Sequence, residues 1–221
     1  MPMLHLTPAL FASVSALAAV AQPAASSFST GGHTVYHIRP ATVSGAGHAL
    51  VCAAYDGAVL CRSHTGKPLW QNTVAGFPFD LAVADLTGDG RDESIVASSD
   101  GCLYTFGPDG TLLWRFSSPA PLYQVTVVRG NNRTRMVLTG GVERTLYALS
   151  PDGTQIASRD FPRCIRHVRA GRYTHAGTDT VAVATTTSGL SGKLALHLLD
   201  PQNLEPVWGK TEHLRDHYNQ V

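Results

Sequence analysis

A strand pattern that returns at near-constant spacing constrains this chain more than any other feature. "DGAVLCRSHTGKPLW" (Asp56 to Trp70), "DGCLYTFGPDGTLLW" (Asp100 to Trp114) and "ERTLYALSPDGTQIA" (Glu143 to Ala157) each hold an apolar strand, a turn and a second apolar strand. Trp70 and Trp114 lie 44 residues apart, and Pro108-Asp109-Gly110 lies 43 residues before Pro151-Asp152-Gly153. A looser fourth copy, "GKLALHLLDPQNLEPVW", ends at Trp208. Another strand pair comes before each of the last three copies: "PFDLAVADL" with "ESIVASS", "LYQVTVVRG" with "RMVLTGG", and "CIRHVRAG" with "DTVAVATTT".

Four short strands per unit of this length describe the blade of a β-propeller, in which sheets that cannot bury both faces alone stack around an axis. A β-sandwich is the competing all-β architecture, but it has no reason to repeat its strand pattern at fixed spacing. The expected blades span residues 34–75, 78–118, 121–161 and 164–211. "YNQV" (Tyr218 to Val221) parallels "LYQV" (Leu122 to Val125), so a further blade is expected to open at 218. The expectation is an incomplete ring of about four blades, whose remaining blades are natural partners.

With 17 Lys and Arg against 16 Asp and Glu, the formal charge is +1. No basic field favours nucleic acid or an anionic membrane surface. "ALFASVSALAAVA" (Ala9 to Ala21) is an apolar run closing on Ala19-Val20-Ala21, a secretory h-region with a small-residue cleavage site. It is too short to span a bilayer. Residues 1–21 thus form a candidate signal peptide and 22–33 a linker, placing the protein outside the cell, in the periplasm or on the cell surface.

"DLTGDGRDE" (Asp85 to Glu93) joins the first two strands of its blade. Asp85, Thr87, Asp89 and Glu93 fall at positions one, three, five and nine, with the Arg91 carbonyl at seven and glycines at 88 and 90. Alternating oxygens in a tight loop suit a hard cation such as calcium, and the neutral threonine predicts modest affinity. The alternative is a metal-free turn whose carboxylates cap backbone N–H groups. Of the matching loops, "RGNNRTR" after Val128 is basic and "GRYTHAGTD" from Gly171 has only Asp179 as a carboxylate.

This nonapeptide resembles the calcium loop of FG-GAP and VCBS propeller repeats. "HTGKPLW" (His64 to Trp70) resembles part of the tryptophan-docking motif of PQQ-like repeats, with Arg62 where that motif carries Asp. The second resemblance implies that Trp packs between blades. It also raises a quinoprotein dehydrogenase, yet the adjacent cysteine pair of those enzymes is missing from the sequence. A carbohydrate-active lyase with a calcium-binding propeller is a second enzyme alternative, for which the residues name no base.

Cys52 and Cys61 flank Asp56-Gly57. A two-residue turn there would place them opposite each other and permit a disulfide. Cys102 and Cys164 fall in different blades and are expected to be free and buried. His213 and His217, beside Glu212 and Asp216, have a zinc-like spacing but sit in a connection without the HExxH order, so they read as solvated loop residues. His33 and His37 lie too far apart along a strand to share an ion. The sequence therefore predicts a secreted propeller that binds calcium and serves as a scaffold for a protein or carbohydrate ligand, without a catalytic residue to name.

Overall fold

The computed structural model describes residues 27–43, 47–129, 135–173, 179–186, 194–207 and 212–214. The candidate signal peptide, Trp208, Asp216, His217 and the strand expected from 218 lie outside the described residues.

The described residues form four antiparallel four-stranded sheets, each a simple meander. The first is β1 (Val35–Val43), β2 (Gly47–Ala54), β3 (Ala58–Ser63) and β4 (Pro68–Thr73). The second is β5 (Pro78–Ala84), β6 (Glu93–Ser98), β7 (Cys102–Phe106) and β8 (Leu112–Ser117). The third is β9 (Leu122–Arg129), β10 (Arg135–Gly141), β11 (Thr145–Leu149) and β12 (Gln155–Asp160). The fourth is β13 (Cys164–Gly171), β14 (Thr180–Thr186), β15 (Leu194–Leu199) and β16 (Glu212–Leu214). The first strands pack in succession, β1 on β5, β5 on β9 and β9 on β13, so these sheets are blades around an open arc. No helix among the described residues is long and apolar enough to cross a membrane.

Burial follows from that stacking. β3 and β6 are buried at every position because neighbours or their own blade cover both faces, while β8 and β12 alternate toward solvent. The core is a series of layers between blades. Val51, Val59 and Cys61 of the first blade meet Leu81, Val96 and Tyr104 of the second. Ile95 and Leu103 meet Val125, Val137 and Tyr147. Leu138 and Leu146 meet Ile165, Val181 and Val183.

Tryptophans fasten two of these junctions. The Trp70 indole N–H donates to the Pro108 carbonyl at 3.2 Å, and Trp114 donates to that of Pro151 at 2.8 Å. A Cβ on Gly110 would lie 2.7 Å from the Trp70 ring and one on Gly153 2.6 Å from Trp114, so each ring lies flat on a turn that only glycine allows. At the third junction Ala157 replaces the indole, and Arg159 donates to the Leu204 carbonyl at 3.1 Å.

The β2–β3 hairpin corrects the expected disulfide. Its Gly57 N–H donates to the Ala54 carbonyl at 3.0 Å and Gly57 has a φ of 86°, giving a turn one residue longer than the assumed two-residue loop. Cys52 therefore faces Leu60, and Cys61 faces Val51. A one-residue shift reverses the side-chain faces. Cys61 joins the layer toward the second blade, whereas Cys52 lies on the opposite face with Ala54 and Leu60. Both thiols are free, and burial raises them, Cys61 to about 11. Cys102 and Cys164 are also free but only half-buried, not buried as expected.

Candidate functional site

Each innermost strand carries a β-bulge near its start. The pairing skips from Val35 to His37, from Pro78 to Asp80, from Leu122 to Gln124 and from Ile165 to His167. The skipped residues are Tyr36, Phe79, Tyr123 and Arg166, one per blade. A bulge re-aims the side chain that it frees. Repeated four times, it sends these four side chains toward one mouth of the axis, where they line a cavity of about 360 Å³ with Gln124 and His167.

Neighbouring loops extend the group into a continuous aromatic stripe. Tyr55 and Tyr36 have ring centroids 5.0 Å apart, Tyr36 and Phe77 5.0 Å, Phe77 and Phe79 5.1 Å, and Phe79 and Tyr123 4.8 Å. The Arg166 guanidinium closes the row, 5.0 Å from the centre of the Tyr123 ring. Tyr36 and Tyr55 remain 45% and 53% exposed, unusual for large rings that could pack inward. His37 also ties two blades, its Nε2 lying 2.9 Å from the Phe79 carbonyl.

Behind the stripe, Asp80 of β5 links the second blade to the other three. Its carboxylate is buried and accepts from the backbone N–H of Leu81 at 3.0 Å and of Val125 at 3.2 Å. Arg39 of β1 approaches it to 3.7 Å and Arg169 of β13 to 3.4 Å.

The expected metal loop lies elsewhere, between β5 and β6. Asp85 accepts from the N–H groups of Gly88 at 2.6 Å and Gly90 at 3.0 Å. Asp89 accepts from the Arg91 backbone at 2.9 Å and pairs with its guanidinium. Glu93 is buried and accepts from the Leu86 N–H at 2.7 Å. Burial, then the charges of Asp89 and Asp85, raise the Glu93 carboxyl above the ordinary carboxylate range. Among the described residues no three His, Cys, Asp or Glu side chains converge as a metal site, and Thr87 and Arg91 line a shallow hollow with Asp109 and Thr111. The side chains of Glu212 and His213 lie outside the described residues.

Residues 49–214 match the family described as the lambda-carrageenase beta-propeller domain. A lambda-carrageenase of Pseudoalteromonas carrageenovora is 30% identical over 146 residues, covering 65% of this chain and 14% of that protein. Another, from a Pseudoalteromonas species, is 34% identical over 122 residues, covering 54% and 13%. The chain thus spans about one seventh of the curated relatives it matches. Among solved structures, BBS1N in complex with ARL6DN aligns at a TM-score of 0.59 with 18% identity, over 77% of this chain and 49% of that one. The Pan2 WD40 domain of Neurospora crassa aligns at 0.59 with 12% identity, over 80% and 49%. At these identities the structural likeness establishes the propeller fold alone. The sequence match carries further: the chain belongs to the lambda-carrageenase beta-propeller domain family.

Proposed function

We propose that this propeller is the polysaccharide-binding part of a carbohydrate-active protein and that its aromatic stripe receives a sulfated galactan such as lambda-carrageenan. The observation that carries this reading is the continuous row from Tyr55 through Tyr36, Phe77, Phe79 and Tyr123 to Arg166. Sugar rings present C–H faces that lie well on aromatic rings, and a guanidinium beside them suits a sulfate ester. The relatives' names favour the carbohydrate-active alternative among the enzyme classes raised by the sequence. Export through Ala9 to Ala21 belongs to the same proposal, since such a polymer is met outside the cell.

Calcium in the Asp85 to Glu93 loop is a separate part of the proposal. It is supported by the gathering of Asp85, Asp89 and Glu93 in one loop, where burial first and then the two aspartate charges raise Glu93, and it requires Asp89 to exchange Arg91 for the metal.

The test is a binding isotherm with lambda-carrageenan. Phe79→Ala and Tyr123→Ala should each weaken binding about five- to thirtyfold, the range for losing an aromatic contact of about 1 to 2 kcal/mol. Unchanged affinity in both folded variants would move the polymer off this face.

A further inference from the structure

Along the innermost strands, beside Asp80, lies a cavity of about 460 Å³. Its charged lining consists of Arg39, Arg135 and Arg169 against Asp80, an excess of two positive charges. Like charges gather around a cavity at an electrostatic cost unless something binds between them.

Asp80 does not use up the arginines. Its oxygens already hold the Leu81 and Val125 N–H groups, and its distances of 3.7 Å to Arg39 and 3.4 Å to Arg169 exceed those of a tight charged hydrogen bond. Arg169 spends only Nη1, on Gln124 Oε1 at 2.6 Å and the Val168 carbonyl at 2.8 Å, besides Asp80. Its Nε and Nη2 have no protein acceptor among the described residues. A guanidinium carries five N–H donors in a fixed fork that matches tetrahedral oxyanions. Asp80, anchored at the middle of the arc, holds two such forks from blades one and four toward the same point.

We propose that this cavity binds a tetrahedral oxyanion, sulfate or a sulfate ester, between Arg39 and Arg169 with Arg135 at its rim. The site is defined by the cavity and is independent of the aromatic stripe. A free anion and a sulfated sugar present the same oxygens to it.

Calorimetric titration with sodium sulfate, against sodium chloride at matched ionic strength, tests the proposal. A saturable sulfate heat is expected, weakened at least about tenfold by Arg39→Gln or Arg169→Gln and partly restored in Arg169→Lys. Arg135→Gln, at the rim, is a second variant if the others fail to fold. No saturable heat in the unaltered protein, or sulfate affinity in the folded Arg39→Gln and Arg135→Gln proteins equal to that of the unaltered protein, overturns the site. A sulfated galactose binding tighter than inorganic sulfate, with galactose itself silent, identifies the ester as ligand; the reverse order identifies the free anion, and either upholds the site. Tyr36→Ala should leave sulfate affinity unchanged, so loss of polysaccharide binding in that variant bears on the stripe alone.

Discussion

Trp114 on β8 donates its indole N–H to the carbonyl of Pro151, 2.8 Å away in the β11–β12 turn, and fastens the second blade to the third. The same turn holds Gly153 with a φ of 84° under the indole. Trp114→Ala should destabilise the protein by about 3 to 5 kcal/mol, and Gly153→Ala should also be costly because its new Cβ meets both ring and backbone strain. Ile156→Ala on the neighbouring strand, 51% exposed, should stay within about 0.5 kcal/mol. Urea unfolding compares the three; a near-neutral Trp114→Ala would mean that the ring does not secure this junction.

Arg144 offers the opposite kind of substitution. It occupies the hairpin position held by Gly57 and Gly101 in the first two blades, and adopts a φ of 74°. Arg144→Gly should remove left-handed strain of 1 to 2 kcal/mol while adding unfolded-chain entropy, a net gain of about 0.5 to 1 kcal/mol. A lower urea midpoint in the variant would contradict this.

His197 gives the third and fourth blades a pH dependence. Burial, then the charges of Arg159 and Arg163, lower its imidazole pKa below the ordinary histidine value, and its ring lies 4.9 Å from that of Phe161. The unfolded chain takes up this proton more readily, so stability falls as pH drops from the ordinary histidine range toward the lowered value. The urea midpoint of His197→Phe should change less between pH 7.5 and pH 5.5, about one unit either side of the ordinary value. An identical pH response in both proteins would exclude His197 as the source.

The β5–β6 loop responds to pH in the other direction. A raised Glu93 means that, without metal, its contribution falls as pH rises from the ordinary carboxylate range through the raised value. Calcium should reverse this by stabilising the ionised loop, and Asp89→Ala should abolish the calcium-induced rise in thermal midpoint. The same calcium response in Asp89→Ala would remove the metal assignment.

The blades were legible because burial between neighbours imposes one pattern on every repeat, visible as the spacing of Trp70 from Trp114. The cysteine register was not, since Asp56-Gly57 is compatible with either turn length and one residue decides which face Cys52 occupies. The aromatic stripe left a signal that the strand reading passed over. Tyr36, Phe79, Tyr123 and Arg166 recur at 43, 44 and 43 residues. Alternation alone assigns them to strand faces, and only the bulges show that they leave the ladder and meet. Asp80 was equally hidden: its partners Arg39 and Arg169 are remote in sequence, and nothing local marks them as neighbours.

Hydroxyl-radical footprinting with and without lambda-carrageenan oligosaccharides tests the central claim most directly, because it reads which side chains the sugar covers. The account predicts protection of Tyr36, Tyr55 and Tyr123, with Leu112, Leu113 and Ile156 on the outer strands oxidised as before. Protection confined to those outer strands, or none at the tyrosines under saturating oligosaccharide, would contradict it.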